Sequence, residues 1–328
     1  MNNFQPIVSS SFWTGEELAK REDLFAVFES AHLSEIKYLM SGDLEKASNI
    51  RIMLNNIADS LENGSGVVII KNLPVLGLNE IEAKKMFLNL VSMIGTPVSQ
   101  SAEGEMIFSV RDSGFSDDDP RSRGPNTRKK LSFHSDRCDV IGFLCLQQAM
   151  SGGENQIVSS VAIHNYMIEN HPELLELLYE PFYYKRHNVD TVNKLPYCRQ
   201  PIFSVTEGEF ACNLLRVLID RAYALPEISD MSDAQKSALD KVEEIASIPK
   251  MHFSYRQEPG DIMLLNNWVT LHKRTEFEDY DSPNEKRHIL RAWFSPSNNR
   301  PIDPLFKDNY GDHRAGYVRG GMKAVSKS

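Results

Sequence analysis

The chain has 328 residues, 41% hydrophobic and 25% charged, with a formal net charge of −9 at pH 7. That balance suits a globular protein with a sizeable core and argues against a nucleic-acid-binding surface, which needs a basic footprint. No run of about 18 apolar residues occurs, and the amino-terminal MNNFQPIVSSSFW has neither a basic nor a continuous apolar region. Neither a membrane span nor a secretory signal is therefore expected, and the cytoplasm is the expected compartment.

In chain order, residues 42–63 place Leu44, Ile50, Ile52, Leu54, Ile57 and Leu61 among charged positions, which predicts an amphipathic helix ending at Gly64-Ser65-Gly66. GVVIIKNLP then predicts a strand, and IEAKKMFLNLVSMIG a second helix stopped by glycine. Residues 101–130 are polar and irregular, with the acidic run at Asp117, and predict a long surface loop acting as a lid. VIGFLCLQQAM and QIVSSV predict strands around a turn at Ser151-Gly152-Gly153, followed by a helical pair in AIHNYMIENHPELLELLYE. PFYYKRH and PIFSV read as strands, 213–224 and 232–246 as a helical insertion, and MHFSYRQ, DIMLLNN and RHILRAWF as closing strands. Short strands without regular strand–helix alternation predict an α+β fold with a mainly β core, a β-sandwich or jelly roll decorated by helices, as one domain over residues 1–328. The four cysteines, Cys138, Cys145, Cys198 and Cys212, lack C-x-x-C spacing and are expected as free, buried thiols.

The chemistry concentrates in two stretches. In LSFHSDRCDV, His134 and Asp136 are two apart, so on an extended backbone they point to one face and can converge on one ion. With 9 histidines and 45 acidic residues in the chain, about one such pair is expected by chance. His171-Pro172-Glu173 also matches, but proline and acid there fit the first turn of a helix. The second stretch runs from Glu258 to Phe294 and supplies His272 as a candidate third ligand. Two histidines and a carboxylate on one face of an octahedral ion leave positions open, the facial triad of non-heme Fe(II) oxygenases. Arg287 and Arg291, four apart on a predicted strand, share a face with Ile289 and Trp293 while His288 and Leu290 point away. Two inward guanidinium groups call either for a dicarboxylate co-substrate or for structural ion pairs with Asp or Glu.

FHSD, SGGENQIVSSVAIHN, PGDIMLLNNWVTLHKRTEFED and RHILRAW, in this order, resemble the TauD/TfdA-like (taurine dioxygenase) group of Fe(II)- and 2-oxoglutarate-dependent oxygenases, in the clavaminate-synthase-like superfamily. The resemblance spans most of the chain. It implies a double-stranded β-helix, with His134, Asp136 and His272 as catalytic iron ligands and Arg287 on the distal carboxylate of 2-oxoglutarate. It places Arg291 nearer the substrate. Where the taurine enzyme has a threonine to help hold 2-oxoglutarate, this chain has Asn155, whose amide can still donate. The carboxylate of Asp136 disfavours halogenation, which in related enzymes uses a small residue there. The implied reaction consumes dioxygen and 2-oxoglutarate, releases succinate and carbon dioxide, and by default hydroxylates a small, anionic or amino-acid-like substrate.

Two further residues are candidates for touching that substrate: Asn267, which a turn explains equally well, and Arg111, which a solvated charge explains as well. His164, His187, His252 and His288 lack a paired acid and are expected on the surface or in the core. The rival readings are a zinc hydrolase using the same two histidines and aspartate, and a jelly-roll binding module without turnover. Nothing in the sequence specifies an oligomeric state.

Overall fold

The computed structural model describes residues 4–112, 127–186 and 195–324. Two sheets face each other, and helices cover both outer sides. The larger sheet has seven strands. Their order is Phe25–Val27, Val67–Lys71, Ile262–Asn266, Val140–Gln147, His288–Pro296 and Gly95–Val98, with Ile107–Val110 also paired to His288–Pro296. Phe25–Val27 lies parallel to Val67–Lys71, and the other pairs are antiparallel. The smaller sheet places Asn155–Ser159 between His252–Tyr255 and Thr270–Arg274. This is the expected double-stranded β-helix decorated by helices.

Val67, Val68, Ile69 and Ile70 form an unbroken apolar run because both faces of the strand are buried there. Val67 and Ile69 point between the sheets and join Ile141, Met263, Leu265 and Trp293, with Ile157 from the smaller sheet. Val68 and Ile70 point outward with Leu264, Leu290 and Phe294, against the helices Ser30–Ser41, Ser48–Asn63 and Glu80–Ser92. On the far side, Val158 and Leu271 of the smaller sheet pack under Ser160–Asn170, Pro172–Tyr179 and Asp233–Ala246.

The helix expected over residues 42–63 begins later, at Ser48, after a short 3-10 turn at Leu44–Lys46. Glu35 explains the boundary: its buried carboxylate accepts the N–H groups of Asn49 and Ile50, each at 3.0 Å, and so caps the helix from outside. Glu35 belongs to Ser30–Ser41, a helix without a clear periodic signature, since its apolar residues are spread around it and Leu33 faces solvent. The expected helical insertion is present as Arg216–Tyr223 and Asp233–Ala246. Residues 113–126 of the expected lid loop, with the acidic run at Asp117, lie outside the described residues, as does His187.

Candidate active site

The free edge of Thr270–Arg274 fixes the first histidine. His134 N–H donates to the His272 carbonyl at 3.0 Å, and His272 N–H donates back to the His134 carbonyl at 2.9 Å. Leu131 N–H donates to the Arg274 carbonyl at 3.0 Å, so the chain enters the motif in register. Beyond this single bridge the backbone bends instead of continuing as a strand. Asp136 reaches the same place because its N–H donates to Asn267 Oδ1 at 3.1 Å. One ligand atom each from His134, Asp136 and His272 lies within 4.8 Å of the others.

Hydrogen bonding and burial prepare the donors for a cation. The His134 Nδ1 lies 2.9 Å from the Ser132 carbonyl, which assigns the proton to Nδ1 and leaves the Nε2 lone pair available. Burial pushes His272 down to about 3, so it is a neutral imidazole at physiological pH. Its Nδ1 is buried with no hydrogen-bond partner among the described residues. Burial opposes ionisation of Asp136, yet Arg291, the two imidazoles and the Trp293 indole N–H hold its carboxyl below the ordinary range. Arg291 Nη1 and Trp293 Nε1 each donate to Asp136 Oδ2 at 3.3 Å.

Arg287, Ile289, Arg291 and Trp293 share one face of the strand region as expected: Ile289 packs on Cys145 and Trp293 between the sheets, whereas Leu290 faces the helices. Arg287 lies one residue before the strand His288–Pro296, which shifts register between His288 and Ile289, and Arg291 lies within it. Arg287 is 3% exposed, and its Nε and Nη1 have no partner among the described residues. Burial lowers it to about 10, which still leaves a cation at neutral pH. Gly153, at φ +75°, gives it room; a Cβ there would lie 3.3 Å from Arg287 Nε. A buried, unpaired cation beside an open cradle fits the distal carboxylate of 2-oxoglutarate. Arg291 is different: besides Asp136 it holds Gln100 Oε1 at 2.7 Å and lies between the rings of Phe108 and Trp293.

The other candidates sit elsewhere or do something else. Arg111 donates to Glu80 at 2.7 Å and touches His288, on the helix-covered side of the sheet and away from the metal-binding face. Asn267 spends both ends of its amide on the Asp136 loop, accepting from Asp136 N–H and donating to Cys138 Sγ at 3.0 Å. Asn155 donates to Gln257 Oε1 at 3.2 Å, in a network that also includes Gln148, the neighbour of Gly153. His171 caps the helix Pro172–Tyr179, and His164 is a core residue bonded to Tyr179 at 2.8 Å.

Residues not singled out from sequence also build the site. Arg274 follows His272 by two positions on one strand, so the alternation rule alone could have found it. Gln100 carried no local signal, whereas alternation had already put Trp293 on the face of the two arginines. Behind the ligands, Asp139 accepts hydrogen bonds from Trp268 and Arg319 at 2.6 Å each and from Asn299 at 2.9 Å, with a further contact from Ser295.

Residues 42–293 match the family described as "Taurine catabolism dioxygenase TauD, TfdA family". The chain belongs to the TauD/TfdA family of Fe(II)- and 2-oxoglutarate-dependent dioxygenases. FR-33289 synthase of Streptomyces rubellomurinus is 33% identical over 288 residues, covering 87% of this chain and 81% of that protein. The taurine hydroxylase-like protein SAT17 of Stachybotrys chartarum is 24% identical, covering 90% and 83%. Among solved structures, asparagine oxygenase in complex with Fe(II), 3-hydroxyasparagine and succinate superposes with a TM-score of 0.64 at 14% identity, covering 83% and 93%. The non-heme iron oxygenase OrfP with Fe and alpha-ketoglutaric acid gives 0.59 at 12% identity, covering 90% and 99%. Membership of this TauD/TfdA family favours oxidation over the hydrolase and binding-module readings. No helix among the described residues is long and apolar enough to cross a membrane.

Proposed function

We propose that this dioxygenase hydroxylates a small amino-acid-like or anionic molecule, with His134, Asp136 and His272 holding the ferrous ion and Arg287 holding the distal carboxylate of 2-oxoglutarate. The observation that carries the reading is one structure with both halves: a two-histidine, one-carboxylate donor set within 4.8 Å, and a buried guanidinium with two unpartnered nitrogens on the same molecule. When bound, iron and 2-oxoglutarate supply the oxidation of a substrate C–H by dioxygen, with release of succinate and carbon dioxide.

The chain's own residues do the rest. The Ser132 carbonyl fixes the His134 tautomer, and Asn267, Arg291 and Trp293 keep Asp136 ionised and aimed. Phe143, whose ring centroid lies 5.6 Å from that of His272, shields the site from water. Arg291 lies on the substrate side of this arrangement, where its guanidinium attracts an anionic group. Asn155 assists at the 2-oxoglutarate end through its second amide hydrogen. The hydroxylated amino acids bound in two solved neighbours, 3-hydroxyasparagine in asparagine oxygenase and (3S)-hydroxy-L-Arg in OrfP, support an amino-acid-like ligand. The four free, buried cysteines support a reducing, cytoplasmic setting, and the family match over residues 42–293 supports a single domain. A metabolite library screened for substrate-stimulated succinate formation with Fe(II), 2-oxoglutarate and oxygen tests the reading. No succinate with any amino-acid-like or anionic compound would overturn the substrate class.

A further inference from the structure

Arg274 is buried and sits between two parts of the site. On one side its Nη2 donates to the carbonyls of Thr127 at 2.7 Å and Lys129 at 2.5 Å. Leu131 N–H and Arg274 carbonyl add a bond of 3.0 Å, and Phe277 N–H donates to the Arg128 carbonyl at 3.2 Å. Residues 127–131, which lead directly into His134, are therefore stitched to the strand that carries His272. On the other side, the Arg274 guanidinium lies 4.8 Å from the Phe277 ring centre and the Arg287 guanidinium 5.2 Å from the same ring. The Nε atoms of both arginines are buried without partners among the described residues.

We propose that Arg274 is a positioning residue that makes the ordering of residues 127–131, and with them His134, depend on an anion at Arg287. Two buried cations sharing one aromatic ring repel each other, and Asp279, which favours the charged form of both, offsets this in part. A carboxylate bound at Arg287 removes that repulsion, so Arg274 stays buried on the two carbonyls at lower cost. By linkage, whatever favours the buried Arg274 also favours the anion. The co-substrate would thus order the backbone leading to the first metal ligand before the substrate arrives. The proposal rests on Arg287 binding the distal carboxylate of 2-oxoglutarate.

Limited trypsin digestion tests it, because Arg128, Lys129 and Lys130 are cleavage sites inside the stitched segment. With Mn(II) in place of iron, 2-oxoglutarate should slow cleavage after these residues by roughly fivefold or more in the wild-type protein. Cleavage after the remote, exposed Lys20 should not change. In Arg274→Gln the segment should be cut quickly with or without 2-oxoglutarate. Arg274→Lys keeps the charge but lacks the planar fork, and should recover 2-oxoglutarate affinity more than protection. Calorimetric titration of 2-oxoglutarate, run in parallel, separates the two layers. If 2-oxoglutarate binds the wild type but leaves cleavage unchanged, or protects Arg274→Gln equally well, the coupling is wrong while the Arg287 reading stands. If Arg287→Ala binds 2-oxoglutarate as tightly as wild type, the underlying reading falls and the coupling with it. The wild-type comparison needs no variant, so misfolding of a substituted chain does not spare the proposal.

Discussion

His134 and His272 are joined through the main chain in both directions, N–H to carbonyl at 3.0 and 2.9 Å. Their ring centroids lie 4.5 Å apart as a result. A one-residue slip in this pairing would turn a ligand to the opposite face, so backbone register sets the metal geometry.

Removing a ligand should differ from removing its support. His134→Ala, Asp136→Ala and His272→Ala are expected to weaken ferrous affinity by well over 100-fold, and Asn267→Ala, which only orients Asp136, by roughly 10–100-fold. Anaerobic Fe(II) titration measures both. Wild-type affinity in His134→Ala would take that residue out of the site.

Arg287→Ala deletes a buried cation whose Nε and Nη1 have no hydrogen-bond partner among the described residues. A loss of about 2–4 kcal/mol, or roughly 30- to 1,000-fold in the apparent Kd for 2-oxoglutarate, is expected. Gly153→Ala should act in the same direction, since its Cβ would press on Arg287 Nε at 3.3 Å from a backbone at φ +75°. Unchanged 2-oxoglutarate affinity in Arg287→Ala would refute the role.

Asp139 and Arg319 form a buried pair at 2.6 Å that ties the carboxy-terminal segment to the strand after Asp136. Asp139→Ala leaves the Arg319 cation without its counter-charge and should lower stability by about 3–5 kcal/mol. Chemical denaturation reads this directly, and Arg319→Met in the same background should recover part of the loss. No recovery would mean that the other hydrogen bonds of Asp139 carry the effect.

His288 gives a pH signature far from the metal. Burial first, and then Arg111, lower it to about 4 from an ordinary value of 6.5. The folded protein therefore binds this proton less readily than the unfolded chain. The stabilising contribution is complete above pH 6.5 and is lost as pH falls toward 4. Partial exposure to solvent reduces its size to about 1 kcal/mol. His288→Asn should flatten the stability profile in that window; an unchanged slope would show that His288 does not contribute.

The site is legible in sequence wherever it depends on spacing along one strand. His272 with Arg274, and Arg287 with Arg291, follow the two-residue alternation of a strand, and the apolar run around Val67 reports burial on both faces. Alternation does not say which face lies inward, and Arg111, at the end of its strand, faces the helix instead. Contacts closed only by the three-dimensional fold are not legible. Gln100 meets Arg291 across 191 positions, and Asp139 meets Arg319 across 180. The start of the helix at Ser48 is equally hidden, because its cap comes from Glu35 on a different helix.

Thr270–Arg274 is an outer strand of its sheet, and the backbone groups it turns outward are taken by Leu131 and His134. An uncovered strand of this kind is a template on which a second molecule can add. The segment that delivers a metal ligand is thus also a guard against self-association, and substitutions that dislodge it should cause aggregation as well as loss of activity.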